Sequence, residues 1–241
     1  MFEARRAKGE WNVLIQRAKQ ASESLEMGIL LAIVGGFMDV YSYMGRDGVF
    51  ANAQTGNILL VGVHISEGDL ALAGRFLFPV ICFALGIMLS DLVHERFGSV
   101  IHWRQVTVLV EALILMGVGL MGSNLNLVAN CLTSLACGMQ VESFRKIHGR
   151  GVATTMCIGN LRSALQNVDD YIITHKRGFL INGVLYFGVI LCFVGGAVLG
   201  NWCLRRFGLG SIGICSILLL VAFFMMFSDR EHEVELTPED E

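Results

Sequence analysis

Two carboxylates lie in apolar surroundings at related places in the chain. Asp39 lies about fourteen residues into an apolar segment at 25–44, and Glu142 lies near the end of another at 126–143. A charge inside a membrane helix costs at least ~2.5–3.5 kcal/mol, so such residues usually face a cavity or a partner and mark an ion, proton or substrate path. The competing interpretation places each acid near a helix end, where Glu142 forms an ordinary ion pair with Lys146.

A Gly-Asn pair follows each acid, as Gly56-Asn57 and as Gly159-Asn160. Glycine lets a helix break and expose backbone groups, and asparagine adds a donor and an acceptor that can replace a solute's hydration shell. The alternative is a hydrogen-bonded clamp between closely packed helices. The substrate-binding or coupling candidates are Asp39, Asn52, Gln54, Thr55, Gly56, Asn57, Gln140, Glu142, Thr154, Thr155, Gly159, Asn160 and Arg162.

The chain matches itself at two offsets, which predicts two homologous repeats. Such duplication is typical of transporters, whose substrate sites lie where the repeats meet. A shift of 110 residues places Phe83, Gly86, Leu89 and Arg96-Phe97-Gly98 on Phe193, Gly196, Leu199 and Arg206-Phe207-Gly208. A shift of 103 residues places Gly35, Asp39, Tyr41, Gly48, Val49, Gly56 and Asn57 on Gly138, Glu142, Phe144, Gly151, Val152, Gly159 and Asn160.

Hydropathy divides the chain into apolar segments at 25–44, 49–65, 71–93, 105–122, 126–143, 151–167, 178–203 and 209–227. The second and sixth are short and polar, and they occupy corresponding places in the two repeats, which is a pointer to a transporter binding site. If these two are re-entrant, the repeats are inverted and most basic loops face the cytoplasm; eight full crossings would place those loops outside. We therefore expect an all-α integral membrane protein with about six full transmembrane helices, two short or broken helices, and both termini cytoplasmic.

The composition agrees with a membrane protein. Hydrophobic residues make up 54% of the chain, charged residues 16%, and the mean hydropathy is +0.60. Soluble domains carry about 25% charged residues. The sequence has no basic surface with interleaved aromatic residues, so we do not expect it to bind nucleic acid. The expected organisation is a basic cytoplasmic segment at 1–24, membrane repeats at 25–122 and 126–227, and an acidic tail at 228–241.

The sequence carries no pattern that indicates an enzyme. The seven cysteines lie in apolar stretches, and no metal-ligand spacing or nucleophile motif is present, so we expect no cofactor and no metal. Glu111 and Asp91 fall near segment ends and are expected at the membrane interfaces. Small-residue pairs at Gly86/Ser90 and Gly196/Gly200 predict close helix crossings, and the glycine-rich faces also permit a homodimer.

The two polar motifs together resemble the signatures of the YoaK family of bacterial membrane proteins. The first motif is Gly36-Phe37-Met38-Asp39 followed by 50–57, and the second is 136–140 followed by Thr154-Thr155 and Gly159-Asn160-Leu161. The chain departs from the family at Ile158, usually threonine, and at Glu142, usually a small or amide residue. The resemblance covers most of 25–227 and implies a multi-pass protein of the bacterial inner membrane, but no substrate.

Two functions remain open at this stage. The first is a small transporter or permease for an unknown small solute or ion, in which Asp39 is a coupling acid and the asparagines line the site between the repeats. The second is a non-catalytic membrane scaffold or partner-binding module, in which the same polar motifs are structural clamps. Both place the protein in the lipid bilayer.

Overall fold

The computed structural model describes residues 21–97, 103–147 and 149–235, and the last nine of these as backbone only. Residues 1–20 of the predicted basic segment and 236–241 of the acidic tail lie outside the described residues, as does Gly98. Gly208, its counterpart at offset 110, ends a helix, with φ 62° and its N–H donating to the Leu204 carbonyl.

The described residues form helices joined by short turns and one small hairpin, which confirms the all-α prediction. Residues 21–23, 123–125 and 208–212 form short 3₁₀ turns, and strand β1 (Lys146–Ile147) pairs antiparallel with β2 (Arg150–Gly151) so that Lys146 lies opposite Gly151. The helices are α1 (Leu25–Gly45), α2 (Gln54–Ser66), α3 (Leu70–Phe97), α4 (Trp103–Gly119), α5 (Asn126–Ser143), α6 (Cys157–Thr174), α7 (Arg177–Phe207) and α8 (Gly213–Glu235).

Length and composition alone mark three candidate membrane spans within the described residues. They are Leu25–Gly45, Leu70–Arg96 and Arg177–Met226, the last of which runs through both α7 and α8. In contrast, α2 has 13 residues. At 1.5 Å per residue it is ~20 Å long, too short for a hydrocarbon core of ~30 Å. The prediction that the second segment is not a full span therefore agrees with its length.

Helix directions follow from cross-helix contacts. Gln140 Nε2 donates to the Leu31 carbonyl and Asn130 Nδ2 to the Arg46 carbonyl, so α5 runs antiparallel to α1. Matching contacts of Gly196 with Ile33 and of Leu204 with Gly45 show that α7 runs parallel to α1. Helix α3 runs parallel to α5, because Phe83 contacts Gly138 and Ser90 is hydrogen-bonded to Ser143. These directions are those that inverted repeats would give, although the duplication itself stays a prediction.

Glycines hold the two closest helix pairs together. A Cβ added at Gly36 would overlap the Phe193 carbonyl, and one added at Gly196 would overlap the Ile33 carbonyl, where α1 meets α7. The pair of α3 and α5 repeats this arrangement. There, Gly86 lies against the Leu135 carbonyl and Gly138 against the Phe83 carbonyl. Close backbone approach of this kind is the main way in which membrane helices gain packing energy, and the predicted small-residue crossings are confirmed.

Arg46 ties one end of the bundle together. It follows α1 and is fully buried. Its backbone carbonyl accepts a hydrogen bond of 2.7 Å from Asn130 of α5, and Tyr41 Oη donates to the Leu209 carbonyl before α8. We call this end of the molecule the Arg46 end. The guanidinium donates to Tyr41 Oη at 2.9 Å, Val118 O at 3.0 Å, Met121 O at 2.8 Å, Gly122 O at 3.0 Å and Asn126 Oδ1 at 3.0 Å.

Two adjacent glycines of α7 provide a matched test of the packing. The Gly196→Ala variant should lower the free energy of unfolding by about 1–3 kcal/mol, because its Cβ meets the backbone of Ile33 and the helices must separate. The Gly195→Ala variant should be neutral or slightly stabilising, because its Cβ has nothing within 4 Å. Thermal unfolding in detergent measures both. Equal melting temperatures would contradict the close crossing.

The Arg46→Lys variant should be destabilised by about 2–4 kcal/mol. An ammonium group cannot reach the spread of oxygens that the planar guanidinium holds, and each buried carbonyl left without a donor costs about 1–3 kcal/mol. The exposed Arg205 at the same end supplies the control, since Arg205→Lys should leave thermal unfolding unchanged. A melting temperature for Arg46→Lys within error of the control would refute the role of Arg46.

Candidate functional site

The chain re-enters the bundle after Arg46 and starts α2 in the interior. Asp39 of α1 marks the depth of this start, since its Oδ1 accepts hydrogen bonds from the N–H groups of Ala51 at 2.9 Å, Asn52 at 2.9 Å and Ala53 at 3.5 Å. Asp39 lies six residues before the end of α1, or ~9 Å along the helix axis. Backbone N–H groups in the interior need hydrogen-bond partners. Asp39 therefore holds the loop 51–53 that leads into α2, while α2 itself has no side-chain cap.

A second re-entrant segment approaches from the opposite end. The β1–β2 hairpin lies near the start of α1, where Ile147 contacts Gly28, and the chain then runs inward to begin α6 at Cys157. We call this end the Arg104 end, because Arg104 at the start of α4 lies there and donates to the Ser143 carbonyl at 3.0 Å. Helices α2 and α6 thus begin inside the bundle and run back to opposite ends; α2 is short as predicted, whereas α6 has 18 residues, as many as α5.

An asparagine holds each re-entrant loop in the same way. Asn57 Oδ1 accepts from the Phe50 N–H at 3.0 Å while its Nδ2 donates to the Phe50 carbonyl at 2.8 Å. Asn160 makes the same pair of bonds with Ala153, at 3.2 and 2.6 Å. Each asparagine reaches the residue seven positions before it, and both are buried. These bonds favour the clamp interpretation of the Gly-Asn motifs over direct contact with a solute.

The two loops meet at Gly35 of α1. Asn52 Nδ2 from the first loop donates to the Gly35 carbonyl at 3.0 Å. On the other side, a Cβ added at Gly35 would lie 3.1 Å from Thr155 Cγ2 and 3.3 Å from the Thr154 carbonyl. We call the set of Gly35, Asp39, Asn52, Thr154 and Thr155 the hairpin junction. It combines elements from both halves of the chain at mid-depth.

The hairpin junction holds polar atoms with unused hydrogen-bonding capacity. Asn52 Oδ1, Thr154 Oγ1 and Thr155 Oγ1 are buried and have no hydrogen-bond partner among the described residues. The side chains are 3% exposed in each case. Buried polar groups almost always have partners, and leaving one unpaired costs about 1–3 kcal/mol. Two hydroxyls and one amide oxygen are therefore available here to bind a polar solute.

The two halves differ in what holds the loop before the re-entrant helix. Asp39 accepts hydrogen bonds from the loop before α2, although neither α2 nor α6 has a side-chain cap. Glu142, the counterpart of Asp39, turns away and forms an ion pair with Arg145 of the following loop. The ion-pair interpretation of Glu142 was correct in kind, although its partner is Arg145 and not Lys146.

Other sequence candidates lie outside the junction or support it indirectly. Thr55, Gly159 and Arg162 are exposed on α2 and α6, away from Gly35. A Cβ on Gly56 would press against the Phe50 ring at 2.8 Å, so this glycine makes room for the aromatic side chain. Gln54 bridges its own loop to α5 through Ser134 Oγ at 3.4 Å and accepts from Asn57. Gln140 bonds Leu31 of α1 and leaves its Oε1 unpaired among the described residues.

Sequence reasoning missed two buried ionisable residues, Arg46 and Glu111. Arg46 looked like a loop residue, and no sequence signal showed its partners. The interfacial prediction for Glu111 was wrong, because its side chain is fully buried within the bundle. Its position several residues inside the segment 105–122 was an available signal. Within the described residues, no group of three His, Cys, Asp or Glu side chains is arranged to hold a metal ion.

Comparison with known proteins places this arrangement in a family. The profile described as protein of unknown function (DUF1275) matches residues 27–225. The chain belongs to the DUF1275 family. A relative of this DUF1275 protein is the UPF0700 transmembrane protein YoaK of Bacillus subtilis (strain 168), 26% identical over 178 residues that cover 70% of this chain and 79% of that protein. No solved structure matches. The resemblance to the YoaK family is confirmed, and with it the membrane location.

The asparagine clamps generate a prediction for both halves. The Asn57→Ala variant should lose about 2–4 kcal/mol of unfolding free energy, because the N–H and carbonyl of Phe50 then lack partners in a buried loop. The Asn160→Ala variant should lose a similar amount through Ala153. The exposed Asn124 is a control whose alanine variant should melt like the wild type in detergent. Wild-type stability in either clamp variant would contradict the structural role.

Proposed function

We propose that this DUF1275 protein is a permease for a small polar solute and that the solute passes through the hairpin junction. The observation that carries the proposal is the meeting of two re-entrant loops from opposite ends at one mid-depth position with unpaired polar atoms. Paired broken helices near the midplane are a recurring way to bind solutes in transporters, because unwound backbone and helix ends face the site. The proposal assigns no chemical step to the protein.

The chemistry of the junction suggests a solute that both donates and accepts hydrogen bonds. Thr154 and Thr155 offer hydroxyls that can donate or accept, and Asn52 Oδ1 offers an acceptor. Together with the open start of α6, these atoms can replace part of a hydration shell. Asp39 already accepts three backbone N–H bonds through one oxygen, so its first role is to fix the loop. A coupling role for Asp39 or Glu142 is the weaker assignment.

The proposal includes an orientation in the bacterial inner membrane. Basic residues near the Arg104 end favour the cytoplasmic side there, so both termini are cytoplasmic and the Arg46 end faces outward. Arg205 and Arg206 at the other end remain exceptions. A homodimer is not needed for a path through one chain and stays a prediction. The basic residues at the proposed cytoplasmic end are Arg104, Arg145, Lys146, Arg150, Lys176 and Arg177.

The second candidate function is a membrane scaffold or partner-binding module. One observation favours it: the asparagines of both Gly-Asn motifs and Arg46 are occupied by bonds within the chain. A scaffold needs such clamps and no solute. It gives no account of the unpaired threonine hydroxyls, and on that ground we place it second.

The threonines provide a test that separates binding from folding. A screen of polar solutes by thermal unfolding in detergent should find one that raises the melting temperature of the wild type, since a ligand at 100 times its Kd stabilises by ~2.7 kcal/mol. The double variant Thr154→Val with Thr155→Val should melt like the wild type without solute, because valine keeps the shape and the hydroxyls bond no described residue. Its response to the solute should be lost.

Thr55→Val is the matched control for this screen. Thr55 lies on the exposed face of α2, so this variant should keep the full solute response. A solute that stabilises the double variant as much as the wild type would place the site elsewhere. No response of the wild type to any solute, with the same stability in all variants, would favour the scaffold.

A further inference from the structure

Glu111 is a buried acid outside the hairpin junction. It lies midway along α4, between Trp103 and Gly119, and its side chain is fully buried. Neither carboxyl oxygen has a hydrogen-bond partner among the described residues. Val108, Ala112 and Leu115 on the same face of α4 are buried in the main hydrophobic cluster. The acid is therefore surrounded by apolar packing at mid-depth.

No basic side chain neutralises Glu111 within the described part of the bundle. The other fully buried charged residue there is Arg46, and its guanidinium binds α4 at Val118 and beyond. Val118 is seven residues from Glu111, or ~10 Å along the helix. Because an unpaired buried carboxylate costs several kcal/mol, Glu111 is held as the neutral acid in this conformation.

The titratable groups that face Glu111 are cysteines and one acid. From α5 comes Cys137, which is in electrostatic range of Glu111, of Asp39 on α1 and of Cys215 on α8. The His94 ring of α3 lies 4.4 Å from the Trp103 ring, tilted by 35°, at the Arg104 end of α4 and about two helical turns from Glu111. Glu111 and Asp39 are therefore both near the Cys137 thiol.

A neutral glutamic acid in this place has no packing advantage over leucine or methionine. Both of those would fill a similar volume without an unpaired polar group, and buried ionisable residues exchanged for apolar ones are often neutral or stabilising. Acids inside membrane segments commonly mark proton relays. The burial of Glu111 without a hydrogen-bond partner among the described residues is the feature that calls for a functional account.

We propose that Glu111 is the proton-binding site of this protein: it holds a proton while α4 is closed against α5 and α8, and releases it when rearrangement admits water. This inference rests on the proposed permease function, which it deepens by naming the proton as the coupling ion. Loss of the proton leaves an unpaired carboxylate among apolar side chains, and this charge is stable only where the rearrangement exposes it to water.

An apolar carbodiimide tests the inference without knowledge of the solute. Dicyclohexylcarbodiimide reacts with protonated carboxyls in apolar surroundings: the acid proton moves to a carbodiimide nitrogen, the carboxyl oxygen bonds the central carbon, and acyl transfer to nitrogen gives a stable adduct. In proteoliposomes at pH 6 we expect the full-length protein to gain one reagent mass, located at Glu111 by peptide mass spectrometry. Above the titration midpoint, labelling should fall about tenfold per pH unit.

Two variants keep this experiment decisive. Glu111→Gln should keep the wild-type melting temperature, because an amide resembles the neutral acid in shape, and should lose the label. Glu142→Gln removes an ion-paired acid and should keep the label with the same pH dependence. Labelling absent at every pH, or unchanged from pH 6 to 9, would overturn the proton site. A lower melting temperature of Glu111→Gln would also overturn it, because it would show that Glu111 is ionised and paired in the folded protein.

These outcomes are separable from those of the solute screen. A solute response at Thr154 and Thr155 with no Glu111 labelling would leave the permease and remove the proton coupling. Labelling at Glu111 that titrates, with no solute response, would support a proton-binding protein and refute the proposed solute site.

Discussion

A chain that re-enters a membrane bundle and starts a helix there carries irregular backbone into the interior, and the need to find partners for that backbone shapes the rest of the structure. Each unpaired group in a region without water costs several kcal/mol, so irregular backbone survives at that depth only when protein satisfies it. Asp39 and the two clamp asparagines supply the necessary bonds. The neighbouring long helices must then be close enough to enclose both loops. The glycines of α1 and α7, and of α3 and α5, allow that approach.

The same constraint explains why the polar motifs follow a fixed spacing. A side-chain amide can bond both the N–H and the carbonyl of one residue, and in both halves that residue lies seven positions earlier. Glycine is required where another backbone or ring comes close, as at Gly35 and Gly56. The first role of the motifs is therefore to fold the re-entrant loops. A solute can bind only to the polar atoms that these bonds leave unpaired.

Much of this arrangement could be predicted from local pattern. Segment length identified α2 as a partial span, and the small-residue spacing located the Gly196 crossing. Apart from Tyr41, the partners of Arg46 could not be predicted, because they come from turns and helices more than seventy residues away. Glu142 shows a further limit. Its sequence register matches that of Asp39, yet an arginine three residues later competes for its carboxylate, and the nearer partner prevails.

That competition produces the asymmetry on which the functional argument rests. In the first half Asp39 holds the loop that leads into α2, and in the second half the corresponding acid, Glu142, is paired with Arg145. The unpaired threonine hydroxyls lie in the loop that leads into α6. Under the proposed function, a polar group of the solute would take, in the loop before α6, the place that Asp39 holds in the loop before α2. The loop of the first half would then be bonded by a side chain of the protein, and the loop of the second half by the solute.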